Sequence, residues 1–245
     1  MSTENITAIV LSRWDIGEYD RRLSLLTREK GKLYAAARGV RKAKSRNAGI
    51  TEPLTVFRAS IAFGKNTNYI AQTQPILSFS EIRKDFFKLN SALAWVETID
   101  EVTRSGENIK NLFDFCLFVL NYIQSLNNPL NALCWGDLQL MRYCGYDPNF
   151  EIEDKLGKNF KKYKLSPRAG GVLSTSESTI DAFDVSIEAL IALQKIQLLE
   201  EPPKSLKKSL EVSKTIHAFW QEFLEKKLPA RQLLLSSFQH IATNE

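Results

Sequence analysis

The hydrophobic period of this chain changes once, between Ser78 and Ser80, and that change limits the folds open to it. On the N-terminal side, the run Phe57 to Phe63 alternates, with Phe57, Ala59, Ile61 and Phe63 on one face and Arg58 and Ser60 on the other. On the C-terminal side, Phe86, Leu89, Leu93, Val96, Ile99 and Val102 recur at steps of three and four, as on a helix with one apolar stripe. Strands followed by helices segregate into an α+β architecture. The boundary defines a strand domain over residues 1–78 and a helical domain over 79–245.

Five strands are predicted in the first domain. They are Thr7–Ser12, Arg22–Thr27 after the turn Asp15-Ile16-Gly17, Leu33–Arg38 after the break at Gly31-Lys32, Phe57–Phe63, and Tyr69–Gln74, which Pro75 should end. Five short antiparallel strands in this length imply a small closed barrel of the OB type. Beyond it, a helix of about six turns runs from Glu81 with Ser80 as N-cap and Gly106 as stop. Further helices are expected over Ile109–Leu126, Pro129–Gly145, Ile180–Leu199, Ser205–Lys227 and Arg231–Ala242. Residues 146–179 lose periodicity and carry Gly157, Pro167, Gly170 and Gly171, so an irregular insert is expected there.

Several function classes lose support at this level. The uncharged stretch Phe115–Gly136 is long enough to cross a membrane, but Asn121, Gln124, Ser125, Asn127, Asn128 and Pro129 interrupt it, and two helices around a turn fit better. Glu4 precedes any apolar run and no basic leader is present, so a cytoplasmic location is expected. Cys116, Cys134 and Cys144 stand apart without a C-x-x-C pair, as in core packing, and His217 and His240 lie far from any cysteine pair. No cofactor or metal is expected.

Charge is distributed unevenly. Residues 1–78 contain 13 Lys/Arg and 6 Asp/Glu, a net +7, whereas residues 79–245 contain 20 and 22, a net −2. The excess concentrates between Arg28 and Arg46, where eight cations and one anion fall in nineteen residues. Arg28, Lys30 and Lys32 lie at the end of one strand and the start of the next. Arg38, Arg41, Lys42, Lys44 and Arg46 crowd a loop between Gly39 and Gly49. Such a loop can follow a phosphate backbone without demanding one base sequence, and Tyr34, with Tyr69, offers a stacking face. The competing reading is a solvated charge run, with Tyr34 in the barrel core. OB barrels also bind RNA, sugars and proteins, so the residues alone leave the ligand open.

Two other classes compete. A metal nuclease could use Asp15, Glu18 and Asp20, but these acids sit among arginines in a turn, and Gly64-Lys65-Asn66-Thr67 lacks the pattern of a phosphate loop. A protein-interaction module is the second, because the near-neutral helical half is rich in aromatic residues, among them Phe86, Trp95, Phe118, Trp135 and Trp220.

A resemblance chooses among these. The segments Gly17-Glu18-Tyr19-Asp20-Arg21-Arg22, Leu25 to Lys32 and Arg38 to Arg46 resemble, in order and spacing, the N-terminal signature of the RecO family. Gly145-Tyr146-Asp147-Pro148, Ser166-Pro167-Arg168-Ala169-Gly170-Gly171 and Leu228-Pro229-Ala230-Arg231 are also similar to it. The resemblance implies a non-enzymatic mediator of recombinational DNA repair: an OB barrel and a helical domain that bind single- and double-stranded DNA and anneal complementary strands. It further implies that the protein, with RecR, helps RecA replace single-strand-binding protein, whose acidic C-terminal tail is one partner. Many family members carry a zinc site in the insert. Here the first C-x-x-C falls at Glu153 and Leu156, before Gly157, and the second at Ser174 and Glu177, so a metal-free insert is expected.

Overall fold

The computed structural model describes residues 2–45, 47–152, 162–174 and 179–242. The chain divides into two compact units, Met1–Leu120 and Asn121–Glu245.

The first unit begins with strands β1 (Ser2–Ile16), β2 (Asp20–Thr27), β3 (Gly31–Ala37), β4 (Val56–Phe63) and β5 (Asn68–Leu77), closed into a barrel in the order β1-β2-β3-β5-β4. This is the OB arrangement expected from the strand count. Closure depends on the length of β1. Its first half pairs with β4 through Ser2↔Phe63 to Ile9↔Val56, and its second half pairs with β2 through Ala8↔Thr27 to Ile16↔Asp20. Between Val10 and Ser12 the register shifts, so one extra residue bends the strand from one neighbour to the next. The interior holds the alternating residues: Ile6, Ala8 and Val10 of β1, Leu23 and Leu25 of β2, Leu33, Ala35 and Ala37 of β3, and Phe57, Ala59 and Ile61 of β4.

Two expectations for the barrel need correction. Its strands are not all antiparallel, because β3 and β5 pair in parallel at Ala35↔Asn68 and Ala36↔Tyr69. Two residue pairs are too few to leave a sequence pattern. Pro75 also does not end β5. It lies opposite Phe57, where the register with β4 slips, a place that tolerates a missing N–H.

Helices α1 (Ser80–Lys84) and α2 (Phe86–Val102) replace the single helix expected from Glu81, and Ser80 is not its cap. Asp85 is extended, and its carboxylate accepts from the N–H groups of Phe87 and Lys88, so it ends one helix and caps the next. The loop after α2 returns to the barrel: Gly106 N–H donates to Lys32 O at 2.9 Å. Helix α3 (Leu112–Ser125) follows. Trp95 of α2 donates its indole N–H to Cys116 O at 3.3 Å and meets Phe115 edge-on.

The second unit contains α4 (Pro129–Tyr143), capped by Asn128, then β6 (Lys162–Ser166), β7 (Gly171–Val172), β8 (Phe183–Ser186), α5 (Ile187–Leu198), α6 (Ser209–Leu224) and α7 (Pro229–Ala242). The region expected to be an irregular insert thus contains strands, and the three form an antiparallel sheet in the order β7-β6-β8. β8 takes the start of the helix expected from Ile180, and Ser186 caps α5 by accepting from Ala189 N–H. The turn between β6 and β7 closes on Asp181, whose carboxylate accepts from Ser166 Oγ at 2.7 Å and Arg168 N at 2.9 Å. Burial alone would raise its pKa, but these donors outweigh it and hold the pKa down at about 2.

The centre of this unit is an ion pair with no exposed surface. Both nitrogens of the Arg231 fork donate to Asp137 at 2.6 Å, and Trp220 Nε1 donates to the same carboxylate at 3.2 Å. Among the described residues, no helix is long and apolar enough to cross a membrane.

Candidate nucleic-acid interface

The loop from Gly39 to Thr55 joins β3 to β4, and its basic portion is tied at its root to the β1–β2 hairpin. Gly39 N–H donates to Asp20 Oδ1 at 2.7 Å, Arg41 N–H donates to Tyr19 O at 3.0 Å, and the Val40 side chain enters the barrel core. Gly39 takes a φ of +66°, which turns the chain sharply out of β3. Lys42 and Ser45 then close a turn through Ser45 N–H to Lys42 O at 2.8 Å. A short 3-10 turn, Gly49–Thr51, leads back towards β4, with Ile50 against the core.

The basic side chains fall into three states. Arg38, Lys42 and Lys44 are exposed and form no ion pair with a described residue. Arg38 lies over the Tyr69 ring at 4.1 Å, and the Lys42 ammonium is 5.5 Å from the Tyr19 ring centre. Arg28, Lys30 and Arg41 are paired at the surface with Asp114 (2.7 Å), Glu4 (2.8 Å) and Asp15 (3.4 Å). Exposed pairs of this kind contribute about 0–1 kcal/mol, so a phosphate can replace the carboxylate. Lys32 is different, and its assignment to a DNA surface is corrected: its side chain is 6% exposed. Its ammonium is 2.8 Å from Asp100 Oδ1 and donates to the carbonyls of Asp100 and Thr103. It holds α2 to the barrel and has no surface to offer a phosphate. Arg46 lies outside the described residues.

Tyr34 is half-buried on the outside of the barrel, not in its core. Its ring meets Trp14 edge-on at 5.8 Å, with the Arg22 guanidinium 5.5 Å from its centre. Trp14 and Arg22 went unmarked in the sequence, although the turn at Gly17 sets them opposite each other as the pair Trp14↔Arg22. Arg22 also lies 5.8 Å from the Trp14 ring centre, and its buried Nε has no hydrogen-bond partner among the described residues. Arg58 is a further exposed cation without a described ion pair. It lines a groove of about 640 Å3 over β1, β4 and β5, with Arg28, Gln72 and Gln74.

The acids once considered for a nuclease do not converge. Asp15 serves Arg21 and Arg41, Asp20 caps the root of the loop, and Glu18 accepts from Tyr19 Oη. The Cys116 thiol, buried in apolar surroundings, is pushed up to about 12, and burial also raises Cys134, so neither thiol supplies a thiolate at neutral pH. Among the described residues, no three His, Cys, Asp or Glu side chains converge on a metal-ion position. Glu153, Leu156, Gly157 and Glu177 of the degenerate zinc positions lie outside the described residues, as does the His240 side chain.

Two family models cover this chain: Recombination protein O N terminal matches residues 1–79, and Recombination protein O C terminal matches residues 83–232. The chain belongs to the recombination protein O family. A DNA repair protein RecO of Desulfitobacterium hafniense is 33% identical over 175 residues, which is 71% of this chain and 64% of that protein. One of a Thermoanaerobacter species is 29% identical over 235 residues, 93% of this chain and 95% of the relative. A third, of Bifidobacterium longum, is 30% identical over 187 residues. Membership of this family supports a role in DNA repair and recombination. The family models account for the barrel and most of the helical remainder, and the first ends two residues after β5.

Proposed function

We propose that the barrel holds single- and double-stranded DNA by its phosphates, with little preference for base sequence, and that the protein anneals complementary strands without covalent chemistry. The observation that carries this is the state of Arg38, Lys42 and Lys44: cations without a described carboxylate, on a loop whose root is fixed to the barrel. Fixing the root lowers the entropy lost when the loop meets a strand. Family membership supports the next step, in which the protein works with RecR to let RecA replace single-strand-binding protein, at the nucleoid in the cytoplasm. The aromatic-rich helical unit is the candidate for the acidic tail of single-strand-binding protein.

The test is the salt dependence of binding. Reversing Arg38, Lys42 and Lys44 to Glu should weaken affinity for all sequences alike and flatten log K against log[salt] by about 2 for single strands. An unchanged slope would move the site away from this loop. An OB-fold binder or scaffold without annealing activity is the second reading. A strand-annealing assay on oligonucleotides coated with single-strand-binding protein, run without nucleotide or metal, separates the two.

A further inference from the structure

We propose that the outer face of β1–β2–β3 carries a stacking subsite for an unpaired base, with Trp14 as the plate and Arg22 as its cation; this rests on the reading of the barrel as a DNA binder. Trp14 is 41% exposed, whereas Trp95, Trp135 and Trp220 are 0, 4 and 0% exposed. An indole left this open on a sheet face is unusual for packing, because such a ring removes a large apolar area when covered. Its neighbours hold it in place. Tyr34 abuts it edge-on at 5.8 Å, and the Arg22 guanidinium lies 5.8 Å from its centre and 5.5 Å from that of Tyr34.

The charge on this face points to a nucleic acid. Arg13 and Arg21, on the same two strands but on the opposite face of the hairpin, pair with Glu52 at 3.1 and 2.9 Å. Arg22 has no carboxylate partner among the described residues, and its Nε has no hydrogen-bond partner among them. A guanidinium with no carboxylate partner among the described residues, set beside an exposed ring, matches a ligand that brings both an anion and a flat apolar face. A nucleotide with its base unstacked has both. Duplex DNA brings the phosphate alone, because neighbouring pairs cover the faces of its bases. The barrel therefore divides its work: the loop of Arg38, Lys42 and Lys44 takes phosphates of either form, and Trp14 takes bases only from single strands.

Because Trp14 is the one exposed tryptophan of four, its emission reports the contact. Full-length protein is titrated with an oligothymidylate and with a duplex of equal length, following tryptophan emission together with the anisotropy of labelled DNA. The single strand should quench emission and the duplex should not. Trp14→Phe should abolish the quenching, and Trp14→Ala should weaken single-strand binding about ten-fold while duplex affinity changes less than about two-fold. Thermal unfolding of both variants, expected near wild type for an exposed side chain, checks the fold. Binding by anisotropy without quenching, equal quenching by duplex, or quenching that survives in Trp14→Phe would each remove the stacking subsite and leave the DNA-binding reading standing. No anisotropy change with either DNA would overturn both.

Discussion

The Lys32 ammonium and the Asp100 carboxylate meet at 2.8 Å, with Ser12 Oγ and Ser24 Oγ each donating to the same carboxylate at 2.6 Å. One side chain of α2 thus gathers β1, β2 and β3.

Removing the carboxylate leaves a buried ammonium with carbonyl partners only. Asp100→Ala should lower unfolding stability by about 3–5 kcal/mol, read from urea midpoints. Lys32→Met should also destabilise, yet leave the salt slope of DNA binding as in the wild type. A slope that falls as it does for Lys42→Ala would return Lys32 to the phosphate surface.

Gly31 is the second joint between the barrel and the loop after α2. Its φ is +65°, and a Cβ there would collide with the carbonyl of Glu107. Gly31→Ala combines left-handed strain of about 1–2 kcal/mol with overpacking of about 1–3 kcal/mol, so a loss above about 2 kcal/mol is expected in chemical denaturation. A neutral effect would mean the loop can withdraw.

The Arg231–Asp137 pair tests differently. Arg231→Met strands a buried carboxylate that burial already drives towards its neutral form, and stability should fall by about 3–5 kcal/mol. Adding Asp137→Leu should recover much of this loss. A double variant no better than the single one would show that the hydrogen bond from Trp220, not charge balance, holds the centre.

His217 predicts the acid limb of stability. Burial and the nearby Arg231 cation push its imidazole down to about 4, from an ordinary 6.5. As pH falls below about 6.5, the unfolded chain takes a proton that the folded chain refuses, so stability is full above that value and declines down to about 4. His217→Gln should flatten the melting temperature over this window. An unaltered profile would assign the decline to other groups.

The five strands were legible because each places apolar residues on alternate positions around one small core. The basic loop was legible because charge density needs no long-range information. What stayed hidden depends on distant partners. Lys32 and Lys42 look alike in a charge count, and only Asp100, 68 residues away, buries one of them. Asp85 looked like a residue inside a helix because the apolar spacing from Phe86 onward matched the segment before it, although its short carboxylate is a good cap. The sheet of the second unit escaped because its strands are two to five residues long and separated by glycine and proline. Trp14 and Arg22 were missed because their significance appears only when the hairpin register sets them side by side.

The salt bridge at the centre of the second unit also bears on how this sequence can drift. Neither Asp137 nor Arg231 can be exchanged alone without enclosing an unanswered charge, so any lineage that abandons the pair must cross a poorly folded intermediate or change both codons together. The short segment Leu228-Pro229-Ala230-Arg231 thus ends on a side chain whose exchange is constrained by the interior of the second unit, apart from any contact with DNA.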